Sequence, residues 1–76
     1  MKVNSRIRGM GRRLHDAFLR SGKTAAQVQK ETGIGKSSFY EHLKGGAMSP
    51  LYLAKYCIAL NVSADFLLGI EKEGKR

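Results

Sequence analysis

Apolar residues recur along this chain at intervals of three and four rather than in strict alternation, the periodicity of helices and not of strands. Met10, Leu14, Ala17, Phe18 and Ser21 fall on one side of a helical wheel, with Arg12, Arg13 and Arg20 around the rest. A first helix from Met10 to Ser21 is predicted, stopped by Gly22. Thr24 followed three residues later by Gln27 has the form of a capping box, which satisfies two amides that a helix start leaves bare. A second helix follows, turning Val28 and Thr32 inward and closing at Gly33, because glycine readily takes the left-handed conformation that ends helices. The third helix spans Lys36 to Leu43. Phe39 and Leu43 form its inner face, Lys36, Ser37, Tyr40, Glu41 and Lys44 its outer one, and Ile34 between two glycines plugs the turn before it.

Gly45, Gly46, Ala47 and Met48 read as a loop. Ser49 then supplies an N-cap with Pro50 in the first helical position, where its missing N–H costs nothing. The fourth helix is expected to carry Leu51, Ala54, Cys57 and Ile58 inward and to end near Leu60 and Asn61. Ser63 caps a short last helix containing Phe66 and Leu67, ended by Gly69. Ile34, Val62 and Ile70 stand beside glycine, asparagine or charge, so no strand is predicted. The expected organisation is an all-α, compact five-helix domain over 10–70, with a flexible basic arm over 1–9 and a frayed charged tail over 71–76.

Length and charge narrow the function. Seventy-six residues hold one core and are too few for a catalytic domain with a separate substrate domain. Fourteen Lys and Arg against six Asp and Glu leave a formal charge of +8, which steers the chain toward polyanions; acidic proteins and membrane surfaces also fit. Cys57 is the only cysteine, so no disulfide within the chain and no thiolate cluster for zinc is expected, and its apolar neighbours mark it as a buried, inert thiol. The basic N-terminal stretch lacks the apolar core of a signal peptide, and no run approaches the roughly 20 apolar residues of a membrane span. A cytoplasmic, nucleoid-associated protein without a membrane anchor is expected. His15 and His42 lack the spacing of a metal pair, Ser37 and Ser38 have no base or oxyanion arrangement beside them, and the glycine pairs are too short to cradle phosphate. No enzyme activity, cofactor or metal is expected.

Thr24, Val28, Gly33, Ile34 and Phe39, together with the ending Leu60-Asn61-Val62-Ser63-Ala64-Asp65-Phe66-Leu67-Leu68-Gly69, carry a likeness to a known family. From Met10 to Gly69 it resembles the phage-repressor type helix-turn-helix family, the Cro and lambda-repressor-like DNA-binding domains. The resemblance implies a helix-turn-helix whose second helix, Lys36 to Leu43, enters the major groove of double-stranded DNA while the preceding helix lies across the backbone with Thr24 near a phosphate. Base reading would fall to Lys36, Ser37 and Glu41, with Tyr40 on a phosphate or sugar. Lys36 can donate to guanine O6 or N7, Glu41 can accept from cytosine N4, and Ser37 can do either with several bases. Lys44 and the amides of Gly45 and Gly46 are further backbone candidates, and Lys2, Arg6 and Arg8 of the arm would wrap the backbone or probe the minor groove. The resemblance also suggests a weak homodimer on a palindromic operator, formed through Val62, Phe66, Leu67 and Ile70; alternatively, Phe66 and Leu67 are spent on the monomer's own core.

Three departures qualify the likeness. Ala25 stands where the family commonly has a phosphate-gripping glutamine, and Gln29 where it has a small alanine. Phe18 and Leu43 replace an arginine and glutamate that pair in several relatives, an exchange that physical chemistry favours because desolvating an ion pair is costly. A Phe18 to Leu43 core contact is therefore expected, with Leu43→Glu destabilising by several kcal/mol. The functional expectation is a sequence-specific transcription regulator, a phage or bacterial repressor. The alternative is a protein-interaction module, an antitoxin-like partner or anti-repressor that keeps the fold without DNA binding.

Overall fold

The computed structural model describes residues 9–70, which form five helices and, among the described residues, no strand: α1 (Met10–Ser21), α2 (Ala25–Thr32), α3 (Lys36–Leu43), α4 (Pro50–Leu60) and α5 (Ala64–Leu68). Each begins and ends on local chemistry. Thr24 and Gln27 complete the capping box, with Gln27 N donating to Thr24 Oγ1 at 3.1 Å and Thr24 N to Gln27 Oε1 at 2.8 Å. Ser49 and Ser63 accept from the amides of Tyr52 and Phe66 at the starts of α4 and α5, and caps of this kind contribute about 1 kcal/mol each. Gly9, assigned by sequence to the arm, is the N-cap of α1 with φ of 78°. The rest of the expected arm and the tail over 71–76 lie outside the described residues.

One side chain from every helix is fully buried at the centre: Leu14 from α1, Val28 from α2, Phe39 from α3, Tyr56 from α4 and Leu67 from α5. Ile34, Met48, Cys57, Leu60 and Phe66 complete the core around them. α1 packs on α3, α4 and α5, while α2 packs on α4. Two basic side chains tie distant segments by their polar ends. Arg13 Nε donates to the carbonyl of Leu67 at 3.0 Å, joining α1 to α5. Lys23 Nζ donates to the carbonyl of Ala59 at 2.7 Å and pairs with Glu31 at 2.6 Å, joining the α1–α2 connection to the end of α4.

Two expectations are corrected, and one residue enters the core that the sequence had left unassigned. Cys57 is buried as expected, but Leu51, Ala54 and Ile58 face solvent, and α4 buries Tyr56, Ala59 and Leu60 in their place, with Leu53 packed at the core's edge. The segment is apolar around most of its circumference, so periodicity allows either stripe inward; the bulky Tyr56 selects the one observed. His42 is buried beside Phe39, although its residue type and the expected Phe39 and Leu43 face gave it no place in the core. Phe18 and Leu43 are half-buried at the edge of the core, and Phe18 meets the Phe39 ring edge-on with centroids 5.4 Å apart. A glutamate at position 43 can therefore turn toward water, and the full penalty for burying a charge is not incurred.

At Gly11, α1 comes close against the backbone of the α3–α4 connection. A Cβ on Gly11 would stand 2.4 Å from Gly45 N and 2.9 Å from the Leu43 carbonyl oxygen, atoms that move only with the backbone. Gly11→Ala is expected to lower stability by about 2 kcal/mol, within the range typical of overpacking. Urea denaturation checks this against Gly35→Ala, where the added methyl meets nothing within 4 Å and φ is −67°; that control stays within about 0.5 kcal/mol of the parent.

Candidate functional site

The connection from α2 to α3 is fixed by a threonine that sequence periodicity already turned inward. Thr32 Oγ1 donates to the Val28 carbonyl at 2.7 Å and accepts from the Ile34 amide at 3.2 Å. Gly33, with φ of 72°, returns its amide to the Gln29 carbonyl at 2.8 Å, and buried Ile34 pins the turn to the core. At its other end α3 closes in a Schellman motif. Gly45, with φ of 94°, donates to the His42 carbonyl at 3.0 Å and Gly46 to the Glu41 carbonyl at 2.9 Å.

Between these ends α3 has two unlike faces. Phe39 and His42 are buried, whereas Lys36, Ser37, Ser38, Tyr40, Glu41 and Lys44 are exposed. Lys36, Ser37, Tyr40, Glu41 and Lys44 follow one another at helical spacing and make a single polar, hydrogen-bonding stripe. The predicted reading residues Lys36, Ser37 and Glu41 thus share one accessible face with Tyr40 and Lys44. Thr24 is exposed at the start of α2, its hydroxyl engaged with the Gln27 amide but still carrying a hydrogen to donate. The amides of Gly45 and Gly46 are not available to a ligand as expected, because closing α3 already uses both. Ala25 is half-buried against the core and offers no polar group outward.

The inner face holds a polar link. His42 Nδ1 lies 2.7 Å from the Tyr56 hydroxyl, and the two rings meet edge-on with centroids 5.6 Å apart. Burial lowers the His42 pKa below its ordinary 6.5, partly opposed by the carboxylate of Glu41. Burial likewise raises the Tyr56 pKa, with neighbouring Tyr52 adding to the shift. Both groups are consequently held neutral, and the neutral pair joins α3 to α4 without a buried charge.

Beside the exposed stripe, α1 and α3 enclose an open hollow of about 520 Å³ lined by Arg12, His15, Phe18, Tyr40, Leu43 and Lys44. Its floor is apolar and its rim basic. Sequence reasoning missed Arg12 and His15, which stand three apart on the exposed side of α1 and reach α3 only through the packing of the two helices. Of the expected dimer residues, Val62, Phe66 and Leu67 are buried within the single chain and only Ile70 is exposed. Lys2, Arg6 and Arg8 lie outside the described residues. Among the described residues no group of three or more His, Cys, Asp or Glu is placed to hold a metal ion, and no helix is long and apolar enough to cross a membrane.

No protein-family model matches the chain, and neither a curated protein nor a solved structure is found to match it.

The buried His42 sets a pH dependence. With its folded pKa below 6.5, the unfolded chain takes up the proton first as pH falls, so its contribution to stability is complete above about pH 6.5 and is lost as pH drops toward the folded value. Thermal melts between pH 7 and pH 5 are expected to show Tm falling in the parent protein and falling less in His42→Phe, which cannot titrate there; equal slopes contradict the assignment.

Proposed function

We propose that the chain is a sequence-specific, double-stranded DNA-binding transcription regulator with the lambda-repressor-like helix-turn-helix fold, acting as a repressor by occupying a palindromic operator as a homodimer. The observation that carries this reading is the exposed stripe of α3, from Lys36 through Ser37, Tyr40 and Glu41 to Lys44, held outward by a buried inner face in a chain of charge +8. An α-helix fits the B-DNA major groove, where every base pair presents a distinct set of donors and acceptors. Lys36 donates to guanine, Glu41 accepts from cytosine, and Ser37 adjusts to either partner. Good bidentate base contacts discriminate by about 1–3 kcal/mol each, and the single-point contacts available to Lys36 and Ser37 fall toward the low end.

Affinity in this reading comes mainly from phosphates. Lys44, Tyr40 and Thr24 flank the reading stripe, and Arg12 and His15 extend the basic surface along the rim of the α1–α3 hollow. Such contacts release counterions and make binding strongly salt-dependent while carrying little sequence information. The half-buried Ala25 supplies none of the phosphate grip given by a glutamine at that position.

Selection of bound sites from a random duplex library, repeated with variants, separates the two roles. Lys36→Ala and Ser37→Ala are expected to keep the fold and relax the consensus at one or two positions. Lys44→Ala is expected to weaken binding uniformly and to reduce the salt slope by about one. An unchanged consensus in the first pair contradicts the reading roles. Absence of salt-dependent binding to any duplex rejects the DNA reading in favour of a protein-interaction module.

A further inference from the structure

Helix α4 carries two apolar stripes, and the fold of the single chain uses one. Leu51, Ala54 and Ile58, three and four apart, face solvent, with Leu51 at 62 % and Ile58 at 73 % of full exposure. Exposed apolar surface concentrated along one helix face marks an interaction site more often than scattered apolar residues do. Beside Ile58, at the seam of α2 and α4, lies a hollow of about 290 Å³ lined by Glu31, Lys55, Ile58 and Ala59. One small patch therefore holds a projecting β-branched side chain, a recess next to it, an acid and a base.

That combination selects the occupant. A surface that pairs with its own copy across a two-fold axis must present both halves of every contact itself: knob and recess, cation and anion. An acidic partner would need only the base. Glu31 and Lys55 provide opposite charges on the two sides of the recess, so two copies related by a two-fold axis bring unlike charges together at both edges. The residues first expected to dimerise do not compete for this role, because Val62, Phe66 and Leu67 are buried within the single chain.

We propose that the outer face of α4 is a homodimer interface, in which Ile58 of each copy enters the recess of the other and Lys55 of each faces Glu31 of the other. The pairing is isologous, so each side-chain contact occurs twice. Glu31 is already paired with Lys23 of its own chain at 2.6 Å, so Lys55 of the second copy joins an existing ion pair rather than meeting a free carboxylate. The choice of a second copy as occupant fits the DNA-binding reading above and rests on it only for the expectation of a homodimer.

Sedimentation velocity of the full chain without DNA, from micromolar to millimolar concentration, tests the interface. The parent protein is expected to move from monomer toward dimer as concentration rises. Ile58→Asp is expected to remain monomeric throughout with an unchanged melting curve, since the side chain lies outside the core. Lys55→Glu, which leaves the Lys23–Glu31 pair of its own chain intact, should weaken the dimer by roughly tenfold, and Lys55→Gln should weaken it less. A parent that stays monomeric, an Ile58→Asp that dimerises normally, or a Lys55→Glu that dimerises as well as the parent each overturns the proposal. Duplex binding measured in parallel keeps the two readings apart: salt-dependent binding by a monomeric parent rejects the interface alone, and a dimer that binds no duplex rejects the DNA reading alone.

Discussion

A helix of eight residues cannot hold itself in water, where isolated helices shorter than about 12–15 residues are marginal. Everything proposed for α3 depends on the few groups that fasten it from behind. Phe39 is fully buried, its ring meeting Phe18 edge-on and lying 6.1 Å from Tyr56 between centroids. One turn further on, His42 reaches the Tyr56 hydroxyl. Aromatic contact fixes depth, and the hydrogen bond fixes rotation about the helix axis, because turning α3 would leave a buried imidazole and a buried phenol without partners. With the inner face so constrained, Lys36, Ser37, Glu41 and Lys44 need contribute little to folding, which leaves the outer stripe free for the contacts proposed for it.

The same economy governs the whole domain. A core that takes one fully buried side chain from each of five short helices gives none of them an independent reason to stay folded. The long-range ties reinforce this interdependence. Arg13 binds a carbonyl at the end of α5, and Lys23 binds one at the end of α4, in each case placing a cation at the negative end of a helix. At Gly11 the backbones of α1 and the α3–α4 connection come so close that no side chain fits between them. Movement of α1 is therefore transmitted to the end of α3 through main-chain atoms rather than through flexible side chains.

Element boundaries were legible in the sequence because they are made by neighbours in the chain. Thr24 with Gln27, Ser49 with Pro50, and Ser63 cap helices through residues one to three positions away, and Gly33 needs only its own conformational freedom. The outer face of α3 was legible for a similar reason, since a helix that buries Phe39 turns Ser37, Tyr40 and Glu41 away from the core, and the charge of Lys36 keeps it in water. What escaped depends on distant partners. The orientation of α4 was ambiguous because both of its stripes are apolar, and the choice is made by Tyr56, whose hydroxyl finds His42 fourteen residues earlier. Nothing in the sequence assigns His42 to the core until that partner is known. Arg12 and His15 border α3 only after α1 has packed against it, and the Gly45 and Gly46 amides are consumed by a closing motif whose acceptors lie on the helix itself.

The central claim is that α3 is held as a rigid part of the core and not as a loosely docked segment. Native-state hydrogen exchange of its amides against denaturant tests this most directly, because local opening and global unfolding respond differently to added denaturant. If the Phe39 and His42 anchor works as described, the amides of Glu41, His42 and Leu43 exchange with the same free energy and denaturant dependence as the core amides of α1 and α4. If they exchange through openings that are much less costly and insensitive to denaturant, α3 moves independently of the core and presents no fixed outer face.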